Sequence, residues 1–226
     1  MSSLPDPTVA SEDLAAMAAA LMDSRHTILP KRLVEPGPDA AQLVRIFSAA
    51  ATAPDHGRLC PWRFILVPPS ERHRLAETFA SSLKERDSKA SEGEMNRARE
   101  KAYRAPLLML MVVDATRGDP AIDFNERLIS AGCALQNMLL MATALGLGSA
   151  LTSGKALKST GLHAFFQLAC DESALCFISI GTVQSRKPTV PRPEINVFVS
   201  MLPPSVENQT GNLSGDAIHL TGLESE

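Results

Sequence analysis

The sequence lacks the patterns that would assign it to several common functional classes. No Gly-x-Gly-x-x-Gly segment and no Gly-x-x-x-x-Gly-Lys-Ser/Thr segment is present, which argues against the usual dinucleotide and nucleotide phosphate loops. A Gly-x-Ser-x-Gly elbow is also missing, so a serine hydrolase of the α/β type is disfavoured. Lys and Arg form no long run and the net charge is −3, so no global basic field attracts nucleic acid.

Cysteine is scarce, with four residues in a chain of 226. None forms a Cys-x-x-Cys pair, and none lies near a His at zinc-ligand spacing. The sequence therefore predicts no metal site. It predicts reduced, buried thiols, because the chain is long and shows no secretory signal.

The N-terminal region and the longest apolar stretch both argue against export or membrane insertion. Glu12 and Asp13 stand where a signal peptide needs positive charge. Residues 128–151 carry several polar side chains, which favours a buried helix over a membrane span. We therefore expect a cytoplasmic protein that binds neither membranes nor nucleic acid.

Hydrophobic residues make up 45% of the chain, and their spacing predicts helices packed around a small sheet. Helices are predicted at 11–24, 39–52, 71–86, 97–104, 123–145 and 156–168. Buried strands are predicted at 63–67, 107–114, within 146–154 and at 174–183. The charged, Ser-rich residues 84–94 predict a mobile loop or a frayed helix. One domain is expected at 11–202, between a flexible N-terminus, 1–10, and an extended or disordered tail, 203–226.

The helix predicted at 123–145 is small and apolar on most sides. Ala131, Gly132, Ala134 and Ala142 are small enough to let neighbouring helices approach closely. Such a surface needs cover on more than one face, which core packing or a second subunit could supply.

Four blocks follow one another along the chain, separated by helix and strand patterns. They are SRHT at 24–27, APDHGRLCPWRF at 53–64, SAGCALQNMLLMATALGLGSALTSG at 130–154 and ISIGTVQ at 178–184. Through these blocks the chain resembles the FMN-dependent nitroreductase family, in particular its smaller single-domain members. The resemblance implies an α+β fold of three layers, with a small mixed sheet flanked by helices. It also implies a homodimer, with the long helix at the interface and FMN contacted by both chains.

The resemblance further implies a set of FMN-contacting residues in three groups. The set is Arg25, His26, Thr27, Thr52, His56, Leu151, Thr152 and Ser153. The first group would contact the phosphate and ribityl chain, because a guanidinium offers a planar fork of donors to a phosphate. The second group, at 52–56, would reach the flavin of the other subunit, and the third would line the flavin ring.

Two departures from the family pattern leave the phosphate anchor open. His26 stands where the family usually has Arg, and Thr152 stands where several relatives carry Arg. The alternative anchors are Arg25, Lys31, Arg32, Arg186 and Lys187. Without the family resemblance these residues are solvated surface charges, and His56 is a surface histidine hydrogen-bonded to Asp55.

The resemblance implies an enzyme without a catalytic side chain, because the flavin carries the redox chemistry. In a ping-pong cycle, NADH or NADPH would transfer hydride to the flavin N5. A small electron-poor acceptor, such as a nitroaromatic or a quinone, would then be reduced. The alternatives are other flavin chemistry (enone reduction, reductive dehalogenation or flavin breakdown) and a flavin-binding protein without turnover.

Overall fold

The computed structural model describes residues 11–188 and 190–202. They belong to two units, one ending at Pro188 and the other continuing beyond it. The predicted domain at 11–202 therefore spans both units. The predictions for 1–10 and 203–226 lie outside the described residues. In the second unit the structure describes one 3₁₀ turn, Ile195–Val197.

The first unit contains six α-helices among the described residues, and four of them begin and end within two residues of the predicted positions. They are α1 (Ser11–Ser24), α2 (Ala40–Ala50), α3 (Arg72–Arg86), α4 (Glu92–Glu100), α5 (Phe124–Ala144) and α6 (Thr160–Phe165). A capping box formed by Asp39 and Gln42 starts α2. Asp39 Oδ1 accepts a hydrogen bond from Gln42 N at 2.8 Å, and Gln42 Oε1 accepts one from Asp39 N at 3.0 Å.

The strands of this unit form one sheet in which every ladder is antiparallel. They are β1 (Leu33–Val34), β2 (Trp62–Leu66), β3 (Leu107–Asp114), β4 (Gly148–Thr152) and β5 (Glu172–Val183). The order is β1-β5-β3-β2, and β4 also pairs with β5. The α+β class is confirmed. The sheet was predicted to mix parallel and antiparallel strands. Among the described residues the only parallel pairing is an isolated bridge between Thr27 and Ser149.

The central strand β3 separates two hydrophobic clusters and so explains the three layers. Met109, Met111 and Val113 pack into the cluster that contains α2 and α5. The alternate residues Leu108 and Leu110 pack into the cluster that contains α3, α4 and α6. Successive side chains of a strand point to opposite faces, so this strand is covered by helices on both sides.

Three helix predictions differ from the structure. The helix predicted at 97–104 is α4, which starts five residues earlier and ends four residues earlier. The segment 84–94 is not a mobile loop or a frayed helix, because α3 runs to Arg86 and a capping box of Ser91 and Glu94 starts α4. The helix predicted at 156–168 is divided into a 3₁₀ turn, Lys155–Lys158, and α6. Ser159 interrupts it and caps α6, since its Oγ accepts a hydrogen bond from Leu162 N at 3.2 Å.

The long helix α5 is capped by Asp123 and buries one face in the core. Its buried face includes Ala131, Ala134 and Ala142, which confirms close packing there. The opposite stripe stays uncovered within the protomer. Ile129 is 67% exposed, and a Cβ atom added at Gly132 would meet nothing within 4 Å.

Candidate functional site

A cavity of about 700 Å³ lies between the α3–α4 pair and the sheet. Leu108 of β3 and Phe177 and Ser179 of β5 contribute its sheet side. Phe79 and Leu83 of α3 contribute an apolar wall. The cavity therefore offers a largely apolar surface of the size that holds a small organic molecule.

The end of β4 forms one side of this cavity. Thr152, Ser153 and Gly154 line it, followed by the 3₁₀ turn that begins at Lys155. Thr152 and Ser153 are exposed, and within the described part of the chain their hydroxyls make no hydrogen bond, so both can bond a ligand. Strand β4 thus delivers two polar side chains and an extended glycine to the cavity edge.

A stripe of cations from α4 and the following 3₁₀ turn lines the opposite side. Arg97, Lys101 and Arg104 are spaced by four and three residues, which places them on one helical face. Arg86 from α3 and Lys155 from the β4 side add two further cations. Glu94 is the one acidic residue in the lining, so the formal charge of the cavity wall is +4.

Four of the five cations of the cavity have no protein partner among the described residues. No hydrogen bond or salt bridge there engages the side chains of Arg86, Arg97, Lys101 or Lys155. Arg104 is the exception, because its Nη2 lies 3.7 Å from Glu100 Oε2. Arg99, on another face of α4, is by contrast paired with Glu77 at 3.0 Å and with Glu92 at 2.7 Å. The four unpaired cations favour an anionic ligand.

The buried side chain of Arg72 holds in place the segment that carries Lys101 and Arg104. Its guanidinium donates to Val67 O at 3.0 Å, Ala102 O at 2.6 Å and Pro106 O at 3.0 Å. Burial lowers the pKa of Arg72 from its ordinary value, and the charge of Glu35 opposes that shift. Arg72 thus ties the end of β2 to the turn that contains Lys101 and to the start of β3.

The first predicted group, Arg25 to Thr27, lies directly after α1 and beside β4. Thr27 forms the parallel bridge to Ser149, and Ile28 N donates to Ser149 O at 2.9 Å. Arg25 and His26 are half-buried and do not line the cavity, whereas Leu29 and Pro30, next along the chain, do. The structure therefore places this group near the cavity edge and outside the cavity lining itself.

The second predicted group lies in the turn before β2, against α5. His56 Nδ1 lies 2.7 Å from Glu126 Oε2 in the first turn of α5. Asp55 Oδ2 accepts a hydrogen bond from Cys60 N at 2.7 Å, which closes the turn. The predicted pairing of His56 with Asp55 is therefore replaced by pairing with Glu126. Thr52 Oγ1 accepts a hydrogen bond from Asn137 Nδ2 at 3.1 Å, so Thr52, like His56, contacts α5.

The turn is further shaped by glycine and by its contact with the loop 117–122. Gly57 has a φ of +70°, and a Cβ atom there would lie 2.9 Å from Ile122 Cδ1. The loop is itself held by the buried Arg127, which donates to Arg117 O at 2.6 Å and Asp119 O at 2.7 Å. The side chains of Thr52 and His56 are exposed and do not line the cavity of the same protomer.

The lining of the cavity contains only two of the eight residues predicted to contact FMN. It contains Thr152 and Ser153, whereas Leu151 is 41% exposed and lies outside its lining. Of the proposed anchors, Arg186 and Lys187 are exposed and lie outside the lining as well. The sequence interpretation missed Arg97, Lys101 and Arg104, although their spacing along a predicted helix was visible.

The cysteines depart from the prediction of buried thiols. All four are free, but Cys60 and Cys170 are exposed and Cys133 is half-buried. Only Cys176 is buried, and burial raises its pKa to about 11. Cys60 lies in the turn before β2, where it adopts a φ of +46°.

Among the described residues, no group of three or more His, Cys, Asp or Glu side chains could hold a metal ion. No described helix is long and apolar enough to cross a membrane. The cytoplasmic location stays a prediction.

The first unit thus combines a three-layer α+β fold with a cavity of positive formal charge at the end of β4. Comparison with known families makes this specific: residues 23–182 match the description "Nitroreductase family". The chain belongs to the nitroreductase family. The family resemblance seen in the sequence is thereby confirmed.

Named relatives and solved structures agree with this assignment. A Haemophilus influenzae protein named "Putative NAD(P)H nitroreductase" is 33% identical over 152 residues, covering 67% of this chain and 82% of its own. An Escherichia coli K12 protein with a similar name is 30% identical over 160 residues, covering 70% and 85%. A nitroreductase-like protein from Bacillus cereus shares the fold with a TM-score of 0.68 at 16% identity, covering 89% of this chain and 98% of that one.

Proposed function

We propose that this protein is an FMN-dependent oxidoreductase that uses NADH or NADPH to reduce an electron-poor small molecule. The observation that carries the proposal is the cavity in which the end of β4 faces the stripe of Arg97, Lys101 and Arg104. A solved Clostridium difficile structure described as an FMN-dependent nitroreductase has the same fold, with a TM-score of 0.54 over 76% of this chain. At 21% identity, this likeness supports only the assignment of the fold. The proposal that the ligand is FMN is supported by the charge and volume of the cavity.

The residues of the cavity fit FMN in volume, charge and surface. The volume of about 700 Å³ lies within the range of roughly 300–1,000 Å³ that is usual for small-molecule sites. The apolar side chains Phe79, Leu83, Leu108 and Phe177 suit a flat aromatic ring. The wall charge of +4 suits a phosphorylated ligand.

Each part of the proposed site has a distinct task in holding FMN. Thr152 and Ser153 would hydrogen-bond the ring from the end of β4. Arg25 and Thr27, fastened to β4 by the bridge at Ser149, would hold the phosphate and ribityl chain. Lys101 would provide positive charge toward the ring, which stabilises an anionic reduced flavin.

We further propose that two protomers pair through the uncovered stripe of α5. The stripe combines the exposed Ile129 with Gly132, whose open space would admit a close approach of another helix. Thr52 and His56 are both fastened to α5 and face away from the cavity of their own protomer. A dimer through this helix would let them contact the flavin bound by the other subunit.

The chemistry supplied by FMN, when bound, is hydride acceptance from NAD(P)H followed by hydride donation to an acceptor. The chain binds and orients the reactants and excludes water. Phe79, Leu83 and Leu108 form a surface that carries no hydrogen-bonding group, so it disfavours water beside the ring. No side chain of the cavity is needed as a nucleophile.

Steady-state turnover with a panel of acceptors tests the proposal against its alternatives. NADPH and NADH are each paired with nitrofurazone, menadione, an enone and a halogenated phenol. Parallel double-reciprocal lines with a nitroaromatic or a quinone are expected. Turnover confined to the enone or the halide would replace the proposed reaction by other flavin chemistry, and bound FMN without turnover would indicate a binding protein.

A further inference from the structure

The cavity carries more positive charge than one FMN requires. Its lining contains five cations and one acid, whereas a phosphate monoester carries about −1.5 to −2 near neutral pH. A second anionic molecule would use the remainder.

The cations that line the cavity from α3, from α4 and from the following turn differ in their distance along the chain from β3. Lys101 and Arg104 lie in the segment that leads directly into β3. Arg86 is the last residue of α3, and Arg97 is the sixth residue of α4, about one helical turn before Lys101. We call Arg86 and Arg97 the outer pair, because both precede Lys101 and Arg104 along the chain and so lie farther from β3 in sequence.

The outer pair is not used by the fold. Among the described residues, neither guanidinium takes part in a hydrogen bond or salt bridge, although Arg97 lies within the electrostatic reach of Glu94. The Glu94 carboxylate is part of the capping box of α4, because it accepts hydrogen bonds from Ser91 N at 2.9 Å and Ser91 Oγ at 2.7 Å. Those bonds lower the pKa of Glu94, so it stays ionised and offsets only one of the two charges.

We infer that the outer pair, Arg86 and Arg97, binds the 2′-phosphate of NADPH and makes the enzyme prefer NADPH to NADH. This inference rests on the proposed function, in which a nicotinamide enters the same cavity as FMN. The two nucleotides differ only in that phosphate. A pair of arginines matches it because each guanidinium can present two parallel N–H donors to phosphate oxygens.

Equilibrium binding of nucleotide fragments tests the inference without turnover. Isothermal titration calorimetry on the FMN-loaded protein compares 2′,5′-ADP with 5′-AMP. The wild-type protein is expected to bind 2′,5′-ADP at least about tenfold more tightly, since hydrogen bonds to charged groups dominate the difference. In the double variant Arg86→Gln, Arg97→Gln this ratio falls by about tenfold or more.

Arg99→Gln is the matched control, because it removes one positive charge from α4 at a residue paired with Glu77 and Glu92 outside the cavity. It is expected to keep the wild-type ratio. In turnover assays the double variant should raise the KM for NADPH by about tenfold and the KM for NADH by less than about threefold. Retained FMN in the double variant shows that the cofactor site is intact.

Three results would overturn the inference while leaving the proposed function in place. They are equal wild-type affinities for the two fragments, an unchanged ratio in the double variant, and a ratio lost equally in Arg99→Gln. A raised KM for 4-nitrobenzoate but not for nitrobenzene or NADPH would assign the outer pair to an acidic acceptor instead. Failure to take up FMN would contradict the proposed function itself.

Discussion

Thr27 and Ser149 form a parallel β-bridge that joins the segment after α1 to strand β4. The bridge lies three residues before Thr152, which lines the cavity. Two blocks that are far apart in the sequence, SRHT and GLGSALTSG, are therefore held side by side. This arrangement explains how a guanidinium at Arg25 could serve a ligand in the cavity without lining it.

Replacing Arg25 by Ala tests the proposed phosphate anchor. The variant should weaken FMN binding by about tenfold or more, because a charge-assisted contact to phosphate is lost, and it should change the melting temperature little. Fluorescence titration of the apoprotein with FMN measures the affinity. Arg74→Ala, which removes an exposed arginine paired with Glu71 on α3, should bind FMN like the wild type. Unchanged FMN affinity in Arg25→Ala would remove this residue from the phosphate site.

Replacing Gly132 by Glu tests the proposed dimer interface. A side chain at this position meets nothing within 4 Å in the protomer, so the fold should tolerate it. Between two closely packed α5 helices, the same charge would be buried without a partner and should dissociate the dimer. Analytical ultracentrifugation measures the assembly.

Gly161 provides a matched control for this substitution, because it is also an uncrowded helical glycine, in α6. Gly161→Glu should remain dimeric with an unchanged melting temperature. A Gly132→Glu protein that sediments as a stable dimer would show that α5 is not at the interface.

Replacing Arg72 by Lys tests whether this buried residue positions the cationic stripe. A lysine cannot donate to all three carbonyls that Arg72 engages, so the free energy of unfolding should fall by about 2–3 kcal/mol. Because the released turn carries Lys101, FMN affinity should also fall by about tenfold. Urea unfolding and FMN titration give the two readouts.

Leu75→Ala is the control that shows whether Arg72→Lys weakens FMN binding only because it lowers the stability of the fold. Leu75 is fully buried on the same helix and does not line the cavity, and its truncation should cost about 2–5 kcal/mol. Its FMN affinity should stay at the wild-type value. If Leu75→Ala weakens FMN binding as much as Arg72→Lys, then Arg72 acts through stability alone.

The ion pair of Arg63 and Glu172 predicts a particular dependence of stability on pH. Arg63 donates to Glu172 Oε2 at 2.7 Å and thereby lowers the pKa of that carboxyl below its usual value. A lowered carboxyl pKa stabilises the fold at all pH values above the unfolded pKa, and that contribution is lost as the pH falls through the folded pKa.

Glu172→Gln should therefore lower the free energy of unfolding by about 1 kcal/mol at pH 7, given that Arg63 is partly exposed. The difference from the wild type should persist to about pH 5 and shrink below it. Urea unfolding at several pH values measures the trend. A difference that grows as the pH falls would contradict the assigned sign.

The elements that local chemistry determines were the ones the sequence predicted well. The long helix was placed to within one residue at each end, because Asp123 caps it and Gly146 follows its last turn. The capping box of Asp39 and Gln42 and the continuous apolar run of β3 are local signals of the same kind. Each of these signals lies within a few residues of the feature it specifies.

The remaining features depend on contacts that the local sequence does not contain. Strand β1 has two residues, and it exists because Leu33 and Val34 pair with the end of β5. Likewise, the spacing of Arg97, Lys101 and Arg104 shows that they share a helical face. Only the packing of α3 and α4 against the sheet shows that this face looks into a cavity.

The visible absorption spectrum of the purified protein, recorded anaerobically before and after NADPH is added, tests the central claim most directly. With FMN supplied, we expect the visible absorption of a bound oxidised flavin, which bleaches on addition of NADPH and returns with an electron acceptor. A protein that takes up no FMN, or a bound flavin that neither NADPH nor NADH bleaches, would contradict the account.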